Sequence, residues 1–335
     1  MIDKPRRLAR PSSPREDDHM TPGNRLFTSD EIRPLAERSD LWGAWLVLHC
    51  WGVIAAAMAL FLVWPNPLTL ILAVMIIGSR QLGLAILMHE AAHNALFKSR
   101  RLNELAGDWL CGRPILADLP AYRRYHLKHH RHTQTDQDPD LVLSAPFPTT
   151  KSSLRRKILR DLTGRTGIKL RAQQLAFAFK TAFDPDIEPD DDGLSQAFAG
   201  PSLGKSLIAN AVLLAVFTAI GAWWWYPVFW LLPLLTWYQL VVRIRNIAEH
   251  GAVERTSDPM RNTRTTLAGP LMRAFVAPYW VNYHLEHHLV MHMPCRNLPR
   301  LHDMLMARGA GGRMQIGRSY ADVLRLASSR PEQPG

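Results

Sequence analysis

The chain has 335 residues and a formal net charge of +11, from 40 Lys and Arg against 29 Asp and Glu, while its mean hydropathy is only −0.10. A basic balance of this size is the footprint of many nucleic-acid binders, but here the cations sit in the tails and beside apolar blocks, where juxtamembrane Lys and Arg belong, so no nucleic-acid partner is expected. The three cysteines, Cys50, Cys111 and Cys295, lie far apart without a C-x-x-C pair, which argues against both a disulfide framework and a cysteine-ligated iron centre.

Residues 1–40 are basic and lack the apolar core of a secretory signal, so they read as a disordered cytoplasmic tail. A membrane-spanning helix needs about 20 mostly apolar residues. Residues 41–64 supply one, Pro65, Asn66 and Pro67 break it, and 68–88 supply a second, making a hairpin. Residues 89–204 are polar and Arg-rich, with an acidic, turn-rich stretch after Phe183 that reads as an exposed loop. A second hairpin follows over 205–226 and 227–245, then a polar stretch over 246–305 and a C-terminal cytoplasmic tail over 306–335.

The expected fold is therefore an all-α integral membrane protein of about four spans in two hairpins, with residues 41–305 as one domain. Its water-facing cap comprises 89–204 and 246–305. Both hairpin turns lack Lys and Arg and carry aromatic residues, Trp64 in one and Trp223, Trp224, Trp225 and Tyr226 in the other, as at a membrane interface. The basic segments lie on the opposite side, so the positive-inside bias places both termini and the cap in the cytoplasm, at an inner or cytoplasmic membrane. Arg80 interrupts the second span, where a central charge costs roughly 2.5–3.5 kcal/mol; it and Gln81 are expected to face the bundle interior. Buried helices of a soluble protein would not explain two apolar pairs with aromatic turns and basic outer flanks.

The 14 histidines are clustered. His89-Glu90-Ala91-Ala92-His93 closes the second span, His126-Leu127-Lys128-His129-His130 follows in the cap, and His284-Leu285-Glu286-His287-His288 lies near the C-terminus. Residues three and four apart share a helix face, so the imidazoles of each cluster can point at one centre. A single metal takes about four to six ligands, so eight or nine converging rings imply two metals. Imidazole suits zinc, copper, nickel and iron alike, which leaves the metal open. His89 to His93 also matches H-E-x-x-H, in which Glu90 would be the general base of a zinc protease, but that reading leaves two clusters unused. His19, His49 and His302 read as ordinary side chains, and His132 and His292 stay undecided. A histidine-lined metal transporter would want its ligands inside the spans, where only His49 lies well within one.

The order of the boxes HEAAH, HLKHH and HLEHH, with two hairpins between and around them, resembles the integral-membrane fatty acid desaturase family. The surroundings YHLKHHRHTQTDQDPDL and HLEHHLVMHMPCRNLPRLH are similar to those of the family's second and third boxes, and the resemblance covers roughly residues 41–305. It implies a di-iron centre held by His89, His93, His126, His129, His130, His284, His287 and His288. To these it adds His250 in RNIAEHG, with Asn246 holding one metal through water. Glu90, Glu249, Glu286 and Asp138 are candidates to accept ring N–H bonds and fix histidine orientation.

The resemblance further implies an O2-dependent oxidoreductase that removes two hydrogens from a fatty acyl chain. Its electrons would come from a separate ferredoxin, cytochrome b5-like or rubredoxin-like protein with its reductase. The acyl tail is expected in a narrow apolar tunnel, where burial contributes roughly 0.8 kcal/mol per CH2. Lipid hydroxylases, carotenoid ketolases and alkene-forming fatty acid decarboxylases use the same scaffold and boxes, which do not separate these outcomes.

Overall fold

The computed structural model describes residues 26–183 and 203–332. Those residues are mostly helical with almost no strand, and four of the helices are long and apolar enough to cross a membrane: Asp40–Val63, Pro67–Ala92, Leu203–Ile220 and Pro227–His250. The protein is an all-α membrane protein with four candidate spans.

The first hairpin follows from local chemistry. Helix α1 (Asp40–Val63) starts at Ser39, whose hydroxyl accepts from the Trp42 N–H, and ends before the Pro65-Asn66-Pro67 break. Helix α2 (Pro67–Ala92) begins with Asn66, which accepts from the N–H groups of Leu68 and Thr69, and with Pro67 at the first helical position, where its missing N–H costs nothing. The two helices pack along their length.

Burial along α2 changes abruptly. Residues 67–76 are mostly exposed or half-buried, whereas from Ile77 to His93 every residue is buried except half-buried Ala85. One rigid helix thus offers an apolar outer half to lipid and a buried inner half to the protein. It also continues through Glu90 to Ala92, four residues beyond the expected end of the span. Gln81 donates to the Trp230 carbonyl at 2.8 Å, and Arg80 donates to the Ala274 carbonyl at 2.6 Å. Both are buried in the bundle as expected.

The cap opens with a short helix and a π-helical turn, Ala106–Gly112, pressed on the inner end of α2. Gly107 has no alternative there, because a Cβ at that position would lie 2.3 Å from the Ala91 Cβ. Helix α3 (Leu119–His132), capped by the Asp118 carboxylate, carries the second histidine box. Helices α4 (Lys151–Leu162) and α5 (Arg165–Phe183) follow.

The second hairpin pairs α6 (Leu203–Ile220) with the span Pro227–His250. Pro227 opens the latter, which runs as a π turn, one α turn containing Pro233, a non-helical Thr236 (φ −119°, ψ −89°), and then α7 (Trp237–His250). Tyr226 donates to Asn210 at 2.9 Å across the hairpin, and Trp230 donates to the Pro114 carbonyl at 3.0 Å while stacking on Trp51 of α1. These bonds tie the two hairpins and the cap into one body.

Helix α8 (His284–Leu289) carries the third box, and α9 (Leu298–Ala307) and α10 (Tyr320–Ala327) complete the cap. The tail expectations need correction. Residues 306–332 are folded: Ile316 and Gly317 pair in parallel with Thr265 and Thr266, and Val323 and Ala327 of α10 are buried against Ile247 of α7 and Leu154 of α4. At the other end Phe27, Ile32 and Leu35 are buried in the main core. Both terminal stretches carry apolar residues at helical spacing that the basic background obscured. Residues 1–25, including His19, and the acidic stretch 184–202 lie outside the described residues.

Candidate metal centre

The three boxes and α7 converge at the inner end of the bundle. α2 ends at His93, where the backbone leaves helical geometry (φ −87°, ψ 6°), so His89 and His93 project from its last turn. α3 and α8 bring in their H-x-x-H-H clusters, and α7 delivers His250. Nine imidazoles meet in two groups: His89, His93, His126, His130 and His287 in one, and His129, His250, His284 and His288 in the other, with the candidate ligand atoms of each group within 4.8 Å of one another.

The division corrects the expectation that each box addresses one centre. Successive residues on an α-helix are about 100° apart. On α3 the i, i+4 pair His126 and His130 serves the first group while His129 turns toward the second; on α8 the pair His284 and His288 serves the second while His287 turns toward the first. Each H-x-x-H-H helix therefore spans both groups, in opposite senses.

The side chains fit metal ions on two observations. The Nε2 atoms of His89 and His93 are buried with no hydrogen-bond partner, a costly state that a metal bond would relieve. Other Nε2 atoms face each other: His250 and His284 at 2.8 Å, His126 and His130 at 2.9 Å, His287 and His130 at 3.1 Å, and His288 and His284 at 3.1 Å. Two nitrogens bound to one ion at about 2.1 Å and roughly a right angle are about 3.0 Å apart.

Electrostatics keep most of these rings neutral, the form that binds metal. Burial and then the neighbouring imidazoles hold His93, His126, His130, His284, His287 and His288 well below the ordinary histidine pKa. His129 differs. Burial acts to lower its pKa, yet the Asp140 charge and the bond to Asp138 outweigh burial and raise it. The Asp138 carboxylate accepts from His129 Nδ1 at 2.8 Å and from the backbone N–H of Gln134 and Asp140, which fixes the tautomer and leaves Nε2 for a metal.

The other expected carboxylates are placed differently. Glu249 lies 3.5 Å from His284 Nδ1 and accepts from Arg245 at 2.7 Å. Glu90 lies 3.7 Å from His89 Nδ1 and accepts from the backbone N–H of Cys295 at 2.7 Å, so it ties the first box to the segment after the third. It is therefore not the free general base that a protease would need. Glu286 accepts from Thr265 and, at 2.6 Å, from His302 Nδ1. Its partner is thus a residue that spacing had marked as a bystander. His302 sits on the next helix, α9, and no spacing within one helix could have flagged it.

Tyr122, also missed, stacks on His126 with ring planes 10° apart. Asp140 was missed as well, although the repeated D-x-D of Asp136, Asp138 and Asp140 was a signal. His132 and His292 fall in neither group. A cavity of about 270 Å³ abuts the second group at His129, His250 and His284, with Asn246 on its wall. Leu82, Met88 and Leu170 line it, but so do Arg171, Tyr238 and Arg245. The lining of this cavity is therefore mixed, because Asp140 and Glu249 behind the histidines, together with Arg245, form part of its wall.

The fatty acid desaturase family model matches residues 63–317, most of the chain and all nine of these histidines. The chain belongs to the fatty acid desaturase family. It is similar to a dihydrorhizobitoxine desaturase of Bradyrhizobium elkanii, with 27% identity over 79% of this chain and 74% of that protein. A beta-carotene ketolase of Paracoccus sp. (strain PC1) is 23% identical over 85% of this chain and 96% of its own length. An sn-1 acyl-lipid omega-3 desaturase (ferredoxin) of Nostoc sp. (strain 36) is 25% identical over 66% of this chain and 63% of its own. Membership makes the protein an oxidoreductase of the desaturase, hydroxylase or ketolase type, and its clustered histidines are consistent with the histidine boxes of that family.

Proposed function

We propose that the protein is an O2-dependent lipid desaturase that introduces a double bond into an acyl chain, with His89, His93, His126, His130 and His287 holding one iron ion and His129, His250, His284 and His288 the other. The observation that carries this reading is the meeting of nine imidazoles, eight of them buried and that of His130 half-buried, in two adjacent groups. Bound there, the iron pair supplies activation of O2 and oxidation of an unactivated methylene. In the overall reaction two C–H bonds break, a C=C bond forms, and O2 with two electrons and two protons becomes two waters. The electrons come from a separate ferredoxin-type, cytochrome b5-like or rubredoxin-like donor.

The chain's own residues bind and position. Asp138 orients His129, and Asn246, one turn before His250 on α7, holds a water toward the group with four imidazoles. The cavity beside that group holds the reacting carbons, and the packed ends of α2 and α7 exclude bulk water. Both hairpin turns lie on one side of the membrane, and the cap and termini lie in the cytoplasm with the basic segments.

Hydroxylation and ketone formation at the same site are the second reading, supported by the ketolase relative. Expression with compatible electron carriers, followed by mass spectrometry of fatty acids, sterols and carotenoids, separates the two. A product two mass units lighter than its substrate is expected; a gain of oxygen without an alkene overturns desaturation.

A further inference from the structure

A second cavity, of about 510 Å³, lies between the first hairpin and residues 273–280, and none of the nine clustered histidines lines it. Among the described residues that line it there is no Asp or Glu, while Arg80, Arg273 and His49 all do so. Arg80 is buried and Arg273 exposed. The Ala274 carbonyl takes one of the five N–H donors of Arg80, and its guanidinium stands 5.6 Å from the centre of the Tyr279 ring. Tyr279 also binds His49 Nδ1 through its hydroxyl at 3.1 Å. Tyr279 and Trp280 both hold left-handed backbone (φ 52° and 57°), a conformation disfavoured for aromatic residues. The wall is therefore held in place by its surroundings.

Depth tells what the cavity meets. Trp45 and Trp64, both more than half exposed, lie at opposite ends of α1, and 19 helical residues at 1.5 Å each put them about 28 Å apart. That is close to the thickness of a bilayer's hydrocarbon core, at whose edges indoles concentrate. Trp45 lines the cavity together with Trp42 and Trp280, so the cavity opens at headgroup level, while Val53 and Ile76 on its wall reach toward the chains.

We infer that this cavity is a binding site for the headgroup of an anionic phospholipid. Its phosphate lies against Arg80 and Arg273, and its glycerol and first methylenes run past Val53 and Ile76. Two cations facing a wall without acidic residues match a phosphate, and the indole belt sets the level at which a phosphate is found.

The test uses the full chain in nanodiscs of equal phosphatidylglycerol and phosphatidylcholine, released and weighed by native mass spectrometry. Preferential retention of one phosphatidylglycerol is expected. Arg273→Gln, at an exposed position that does not threaten folding, and Arg80→Gln each reduce it about tenfold, the effect of losing one charged hydrogen bond. Arg318→Gln, at an exposed arginine outside the cavity, leaves it unchanged. Equal retention of both lipids, or undiminished retention by Arg273→Gln, overturns the site. Displacement of the lipid by millimolar glycerol 3-phosphate would show a site for a free anion and overturn the lipid assignment.

Discussion

At the scale of single residues, the site separates side chains that would hold metal from those that hold the ligands. His250→Ala removes one of four imidazoles from its group and is expected to abolish activity and lower iron content, whereas His49→Ala leaves the iron in place. Asp138→Asn keeps the shape but weakens the bond to His129 Nδ1, and metal affinity should fall about 10- to 100-fold. Iron titration of the purified variants beside product formation checks both, and near-normal iron in well-expressed His250→Ala removes that residue from the centre. His302→Ala belongs to a different class. It strips a partner from fully buried Glu286 and should cost about 1–3 kcal/mol of stability with a smaller change in iron affinity.

The same rings set a pH dependence. His93, His126, His130, His284, His287 and His288 have folded pKa values below their ordinary value of 6.5. Between the two values the unfolded chain binds protons that the folded chain refuses, so these six rings make stability rise with pH there, and His129, with its raised pKa, opposes them as one ring against six. The metal-free protein should therefore be most stable above about pH 6.5 and lose stability as the pH falls below it. Thermal unfolding of chelator-treated protein across pH 5–8 measures this, and a flat profile contradicts neutral burial of the rings.

At the scale of elements, the packing of the π-helical turn on α2 gives the sharpest expectation. Gly107→Ala places a methyl 2.3 Å from the Ala91 Cβ, inside the first histidine box. Relief requires moving the turn or the end of α2, at about 1–3 kcal/mol. Lower thermal stability and reduced iron loading should appear together; wild-type loading would show that the turn yields alone. The four spans and the clustering of histidine were legible because both signals are local: mostly apolar runs of about 20 residues, and i, i+3 or i+4 spacing within one helix. The split of each H-x-x-H-H box between two groups was not, because spacing within a helix shows which rings neighbour one another but not where the facing helices stand. His302 and the folded ends at 26–39 and 306–332 were hidden for the same reason, since their partners are remote in sequence.

At the scale of the whole molecule, the proposed orientation can be tested directly, because Cys50, Cys111 and Cys295 are all buried and give little background. Single cysteines near Asn66 and Pro227 should react with a membrane-impermeant maleimide in intact cells, while one near Pro331 should react only after permeabilisation. Reaction near Pro331 under conditions that protect the two turns reverses the orientation.

Helix α2 is exposed or half-buried over most of its outer ten residues and buried over its inner end, and it is a single unbroken rod. The lower part that rests in lipid and the upper part that mounts His89 and His93 consequently share one axis and one rotational setting. A water-soluble version of the enzyme therefore cannot be made by trimming away the greasy segments. It requires repainting the outward faces of residues 67–76 with polar side chains while preserving the rod's length, because a shift by a single position would swing both imidazoles about 100° away from their partners.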